Sequence, residues 1–190
     1  MHPVSFVGAG PGATDLLTLR AAERLRSADV LVWTDSLVCP GIPKLAPDGC
    51  EKIRTSTMTL EEVIPLLIER QKSGKRIVRL HDGDTALYSA INEQICALTD
   101  HNIPVEVVPG ISAYQAAAAG LASELTIPGV VQTIVLGRAG GRTGVPDSEA
   151  LSRLAALKAS LCLYLSARHV EDVQTLSLIH ISEPTRPMNI

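Results

Sequence analysis

The 190-residue sequence has no apolar run near the roughly 20 residues that a membrane-spanning helix needs, and no two of its four cysteines stand at C-x-x-C spacing. The first absence predicts a soluble chain, and the second removes the usual signature of a closely spaced thiolate metal site. Cys39, Cys50, Cys96 and Cys162 read instead as core or surface thiols of a reducing cytosol, so a cytoplasmic location is expected. No excess of positive charge is present: 17 Lys and Arg stand against 20 Asp and Glu. A field able to hold a nucleic-acid backbone through counterion release is therefore missing. The opening MHPVSFVG carries neither a charged n-region nor a long apolar h-region and predicts no secretory signal. An H-x-x-x-H metal motif and an evident nucleophile triad are also lacking.

What is there is an α/β pattern, in a chain 46% hydrophobic and 19% charged. Apolar runs of strand length alternate with helical periodicity, which predicts a mainly parallel sheet with crossover helices. Strands are expected at Val4–Val7, Val30–Trp33, Ile77–Leu80 and Val105–Val108, with a helix at Leu19–Arg26. In TMTLEEVIPLLIERQKSGK, Thr59 and Glu62 form a capping box, Met58 and Val63 a hydrophobic staple, and Gly74 suits a left-handed C-terminal cap. Pro65 falls late for a first-turn proline and predicts a bend. A further helix is expected over Tyr88–Leu98, and another over the alanine-rich SAYQAAAAGLA. The rhythm then restarts with strand Thr133–Leu136, helix Ser148–Leu157 and strand Leu161–Leu165. That restart divides the chain at 1–115 and 116–175, and the second part has too few elements to close a core of its own.

The stretch FVGAGPGATDLLTL poses the functional question, because Gly8, Gly10 and Gly12 follow a strand as a dinucleotide-binding loop would. The spacing is G-x-G-x-G, not G-x-G-x-x-G, and Pro11 removes one backbone N–H. The helix is expected to begin only near Thr18, so its positive end is not aimed at the glycines. Asp35, at the end of the second strand, keeps an NAD-linked oxidoreductase open as an alternative. A nucleotide site of another kind and a structural strand-turn also remain open.

Three segments taken together narrow this. VGAGPGATDLLTLRAAERLRSADVLVW, VRLHDGDTALYSAINEQ and VEVVPGISAYQAAAAGLASELTIP resemble, in order and spacing, the tetrapyrrole (corrin and porphyrin) methylase family. The resemblance covers Pro3 through Gln174, and TMTLEEV, LYSAINEQ, SELTIP and QTIVLGRAGGRTGVP look like its branch that methylates precorrin-4 at C11 in cobalamin biosynthesis. It implies a two-domain α/β fold, S-adenosylmethionine as methyl donor, precorrin-4 or its cobalt form as acceptor, and a homodimer. Another corrin or porphyrin C-methyltransferase is the alternative within the family. In such proteins the glycine loop lines a trough beside the donor and cradles no phosphate; glycine there lets backbone approach a bulky ligand.

The resemblance carries specific residues with it. Donor binding is expected at Pro11, Asp82, Gly83, Asp84 and Leu87, at Ser112 and Ala113 in PGISA, and at Leu165. The bland reading of the aspartates and Ser112 is helix capping. This chain has Thr85 where the family often has proline, a change that bears on loop rigidity. A polycarboxylate substrate calls for cations, for which Arg138 and Arg142 are candidates, with Gly10, Gly12 and His81 lining the trough. A lone histidine at a strand end is more often packed and hydrogen-bonded than reactive. Methyl transfer from a sulfonium needs alignment and exclusion of water, so no general base, catalytic side chain or metal is nominated.

Residues 176–190 break the pattern. LSLIHISEPTR, eleven consecutive residues from Leu176 to Arg186, resembles the conceptual translation of a transposase adapter used in DNA library preparation. This tail is expected to be foreign to the fold. The second domain is accordingly expected to be cut short, and the chain to be marginally folded and inactive.

Overall fold

The structure, a computed structural model, describes residues 2–138, 144–166, 171 and 173. Two compact units divide the chain, Met1–Ala117 and Ala118–Ile190. The first is a five-stranded, wholly parallel sheet, in line with the fold class expected. Its strands are β1 (Val4–Gly8), β2 (Val30–Trp33), β3 (Glu51–Arg54), β4 (Ile77–His81) and β5 (Val105–Val108), in the spatial order β3-β2-β4-β1-β5. β1, β2 and β4 are buried along their whole length, which is why they read as near-continuous apolar runs.

The two faces of the sheet carry separate cores. On one face Val7, Leu31, Trp33, Val78, Leu80 and Val108 pack with Ala21 and Leu25 of α1 (Leu19–Arg26). On the other, Val4, Phe6, Val30, Val32 and Ile77 pack with Val63 and Leu67 of α2 (Leu60–Lys72) and with Leu98 of α3 (Ile91–Asp100). α1 starts where the Thr18 hydroxyl accepts from the Ala21 N–H at 3.2 Å. α2 has its capping box, with the Thr59 N–H donating to Glu62 Oε2 at 2.8 Å, and Met58 packs against the cluster that holds Val63. Gly74 follows with φ +75°, as a left-handed cap requires.

Two predicted elements differ. β3 has no counterpart in the sequence reading, because Glu-Lys-Ile-Arg is an edge strand, exposed at all but Ile53, and carries no apolar run. α3 begins three residues later than the expected Tyr88. Tyr88 and Ala90 hold φ of +57° and +48°, a conformation incompatible with a right-handed helix.

The second unit contains the parallel pair β6 (Ile134–Arg138) and β7 (Ser160–Tyr164), with α5 (Leu151–Ala156) between them in sequence. The expected helix at Ser148–Leu157 is broken in two, a 3-10 turn over Asp147–Glu149 followed by α5. α4 (Ala113–Gly120) is the alanine-rich helix. The tail 176–190 lies outside the described residues. No described helix is long and apolar enough to cross a membrane.

Candidate functional site

Loops at the carboxyl edge of a parallel sheet are where ligands bind in open α/β folds. Here the loops after β1, β4 and β5 meet backbone to backbone. Ala9 N donates to the His81 carbonyl at 2.7 Å, and Gly10 and Gly83 exchange both hydrogen bonds, at 3.1 and 2.9 Å. A Cβ on Gly8 would stand 2.6 Å from Gly110 N and 2.7 Å from Gly83 O, and one on Gly110 would overlap the Gly83 carbonyl. Only glycine permits this approach.

Asp84 locks the arrangement. Its Oδ2 accepts from the Gly110 N–H and its Oδ1 from the Ala86 N–H, each at 2.9 Å. The Asp84 carbonyl then accepts from Leu87 N at 3.3 Å and from the Ser89 hydroxyl at 3.3 Å. The left-handed residues Tyr88 and Ala90 close the same loop, the kind of strained backbone that persists where the surroundings over-determine it. Beyond β5, the buried Ser112 donates its N–H to Gln115 Oε1 at 2.9 Å, and its carbonyl accepts from Gln115 N and Ala116 N. Ser112 and the exposed Ala113 thus stand at the start of α4.

Several donors that an anion cradle would use are already taken. The N–H groups of Ala9, Gly10, Gly83 and Gly110 are spent inside the loops, and Pro11 has none. What the loops leave is open backbone: nothing lies within 4 Å of where a Cβ on Gly83 or Gly12 would sit. Beside it Asp82 is exposed, with no partner among the described residues. An open backbone face next to an available carboxylate suits a bulky ligand that carries positive charge.

His81 is 7% exposed and stacks on Phe6 with ring centroids 5.9 Å apart. Burial, aided by the charge of Arg79, pushes its pKa down to about 3. At neutral pH it is an uncharged core side chain and offers a carboxylate no cation. Its Nε2 is buried and unpartnered. Arg79, 5% exposed, lies on the same face and donates to Gln94 Oε1 at 3.2 Å and Thr55 Oγ1 at 3.1 Å. With no carboxylate beside it, desolvation lowers its pKa to about 10.

Of the other predicted residues, Gly10 is buried, while Pro11, Gly12 and Leu87 are half-buried on these loops. Leu165 and Arg138 belong to the second unit. Leu165 is 70% exposed with φ +54° just past β7, and Arg138 donates to the Gly144 carbonyl at 3.0 Å. Arg142 lies outside the described residues. Sequence reasoning missed Gly8 and Gly110 as a contact pair and the Asp84–Gly110 bond. The glycine of PGIS was the available signal.

The profile of the family described as Tetrapyrrole (Corrin/Porphyrin) Methylases matches residues 3–190. The chain belongs to the tetrapyrrole methylase family. Among curated members of that family it is 44% identical over 168 residues to a cobalt-precorrin-4 C(11)-methyltransferase of Priestia megaterium, covering 88% of this chain and 65% of the relative. This methylase chain thus spans just under two thirds of that relative's length. Its fold matches an X-ray structure of cobalt precorrin-4 methyltransferase, a cobalamin biosynthetic enzyme, with a TM-score of 0.90 and 39% identity over 94% of this chain and 74% of the other. It also matches a uroporphyrin-III C-methyltransferase from Thermus thermophilus complexed with S-adenosyl homocysteine, with a TM-score of 0.75 and 30% identity over 96% and 78%.

Proposed function

We propose that this methylase transfers a methyl group from S-adenosylmethionine to C11 of precorrin-4 or cobalt-precorrin-4. The observation that carries the reading is the latched loop cluster, with the Ala9, Gly10, Gly83 and Gly110 N–H groups bonded inside it and an open backbone face at Gly83 beside Asp82, which has no partner among the described residues. Similarity to the precorrin-4 enzymes supplies the acceptor, and the relative complexed with S-adenosylhomocysteine supports the donor.

When bound, the donor supplies an electrophilic methyl on sulfur. The chain's own part is positional. Gly83 and Gly12 admit the donor against backbone, Asp82 complements its positive charge, and Asp84 holds the β4 and β5 loops in register. Pro11 and Leu87 contribute apolar surface that excludes water. Ser112, Ala113 and Leu165 belong to the donor set, and Arg138 and Arg142 to the acceptor set, through the family resemblance. A homodimer belongs to the same reading; sedimentation showing only a monomer at micromolar concentration counts against it.

An NAD-linked dehydrogenase fits less well, because the Gly10 N–H is bonded to the Gly83 carbonyl and Pro11 has no N–H, so two donors that a pyrophosphate loop would use are not on offer. Calorimetry on the chain carried through to its relatives' full length is expected to show S-adenosylhomocysteine binding and no NAD binding. The same protein is expected to move a 13C methyl from S-adenosylmethionine to precorrin-4 or cobalt-precorrin-4. NAD binding without S-adenosylhomocysteine binding overturns the proposal.

A further inference from the structure

One cavity of the first unit is not used by the donor site. It has a volume of about 340 Å3 and opens at the carboxyl end of β2 and β3. Trp33, Val38 and Pro43, all largely buried, form an apolar wall. Lys44, Lys52 and Arg54 line the opposite side, exposed, and none makes an ion pair among the described residues. Asp35 is the one acid in the lining, its Oδ1 buried without a partner. Three cations against one carboxylate leave the cavity with a local charge of about +2.

That surplus contrasts with the opposite edge of the sheet. There Arg24 pairs with Glu106 at 2.7 Å, Arg70 with Glu51 at 2.9 Å and Arg76 with Asp29 at 2.8 Å. At the carboxyl edge Lys44, Lys52 and Arg54 share only Asp35 in the cavity lining, and none forms an ion pair among the described residues. β2 neighbours β4, and β3 lies one strand further out. Adjacent strands are about 4.8 Å apart, so β3 stands roughly 10 Å from the strand that carries His81–Asp84. A broad, flat ligand reacting near the β4 loop spans that interval, and its acidic arms reach the cations.

We propose that this cavity is a subsite for the carboxylate arms of the macrocyclic substrate, with Lys52 and Arg54 as its main anion contacts, Lys44 at its rim and Trp33 against the ring edge. Asp35 Oδ1 offers an acceptor to an N–H of the same ligand. The assignment rests on the tetrapyrrole reading for the identity of the ligand, while the cavity and its charge stand without it.

The test titrates uroporphyrin III, a fluorescent octacarboxylate, into the 190-residue chain and into a K52Q/R54Q variant, with K72Q as a control on a distant exposed lysine. Circular dichroism checks that each is folded. The double variant is expected to bind uroporphyrin about tenfold or more weakly, K72Q to bind as the parent does, and S-adenosylhomocysteine affinity to be the same in all three. Equal uroporphyrin affinity in the double variant and the parent overturns the subsite, as does absence of porphyrin binding by the parent. ATP held more tightly than uroporphyrin through the same two residues overturns the polycarboxylate assignment in favour of a phosphate site. Porphyrin binding that depends on Lys52 and Arg54 supports the subsite whether or not this chain holds S-adenosylhomocysteine; the methyl-transfer reading falls separately, if the full-length protein fails to bind S-adenosylhomocysteine.

Discussion

Gly110 and Gly83 are constrained in different ways. A Cβ on Gly110 meets the Gly83 carbonyl and lies 2.9 Å from Gly8 Cα, so backbone must shift, whereas a Cβ on Gly83 has room but sits at φ +59°. Gly110→Ala is expected to cost about 3 kcal/mol by overpacking and Gly83→Ala about 1 kcal/mol by conformation alone. Urea unfolding of the two variants checks the ranking. His81 sets a pH dependence. In the folded chain its ring stays neutral down to pH about 3, whereas in the unfolded chain it takes up a proton near pH 6.5. Its contribution is therefore complete above about pH 6.5 and is lost as pH falls towards 3, by up to about 1.4 kcal/mol per pH unit. His81→Leu should flatten that acid limb in denaturant titrations run across the window. Because the Arg79 charge also lowers the His81 pKa, Arg79→Met should raise it, as read by NMR titration of the ring.

At the scale of elements, Asp84 acts as a fastener between two loops. Asp84→Ala leaves the Gly110 and Ala86 N–H groups without their acceptor and is expected to cost about 2 kcal/mol and to weaken S-adenosylhomocysteine binding. Thermal melts and calorimetry report the two effects separately. Pro65 sits at the sixth residue of α2 and exposed, where its missing N–H leaves the Glu61 carbonyl unmet. Pro65→Ala is expected to stabilise by about 1–3 kcal/mol; an unchanged melt would show that the helix already absorbs the bend.

The same scale shows what could be read from the sequence. β2, β5 and α1 carry their bounds in local chemistry: a buried apolar run for β2, a valine-rich run for β5 and a threonine cap for the helix. β3 was illegible because an edge strand with charged residues on exposed faces leaves no periodic trace. The start of α3 was illegible because it depends on Asp84 and Ser89 holding a loop in left-handed turns. Asp82 and Gly83 entered the candidate site through family resemblance. The Gly8–Gly110 contact and the Lys44, Lys52 and Arg54 cavity arise only once β1 lies beside β5 and β2 beside β3, adjacencies that no local pattern encodes.

Across the whole molecule, the two edges of the first sheet divide labour. Ion pairs tie helices to strands at the amino edge. Arg24 reaches Glu106 through two bonds, of 2.7 and 2.9 Å, and holds that carboxyl below its ordinary range, chiefly through the side-chain hydrogen bond. A carboxyl whose pKa is depressed in the fold adds stability above its unfolded pKa and loses it as pH falls through the folded one. These pairs are partly exposed, so their joint contribution is modest and screened by salt.

Strand order also governs how the chain comes into being. Val4 on β1 aligns with Ile77 on one side and Val105 on the other, so the ribosome releases β1 long before either of the strands that flank it has been synthesised. Until then Val4, Phe6 and Val7 have no β-ladder to join, and a nascent chain stalled ahead of Ile77 should be sticky and chaperone-bound. One stalled beyond Val108 should be released, which ribosome-bound chains of graded length can show.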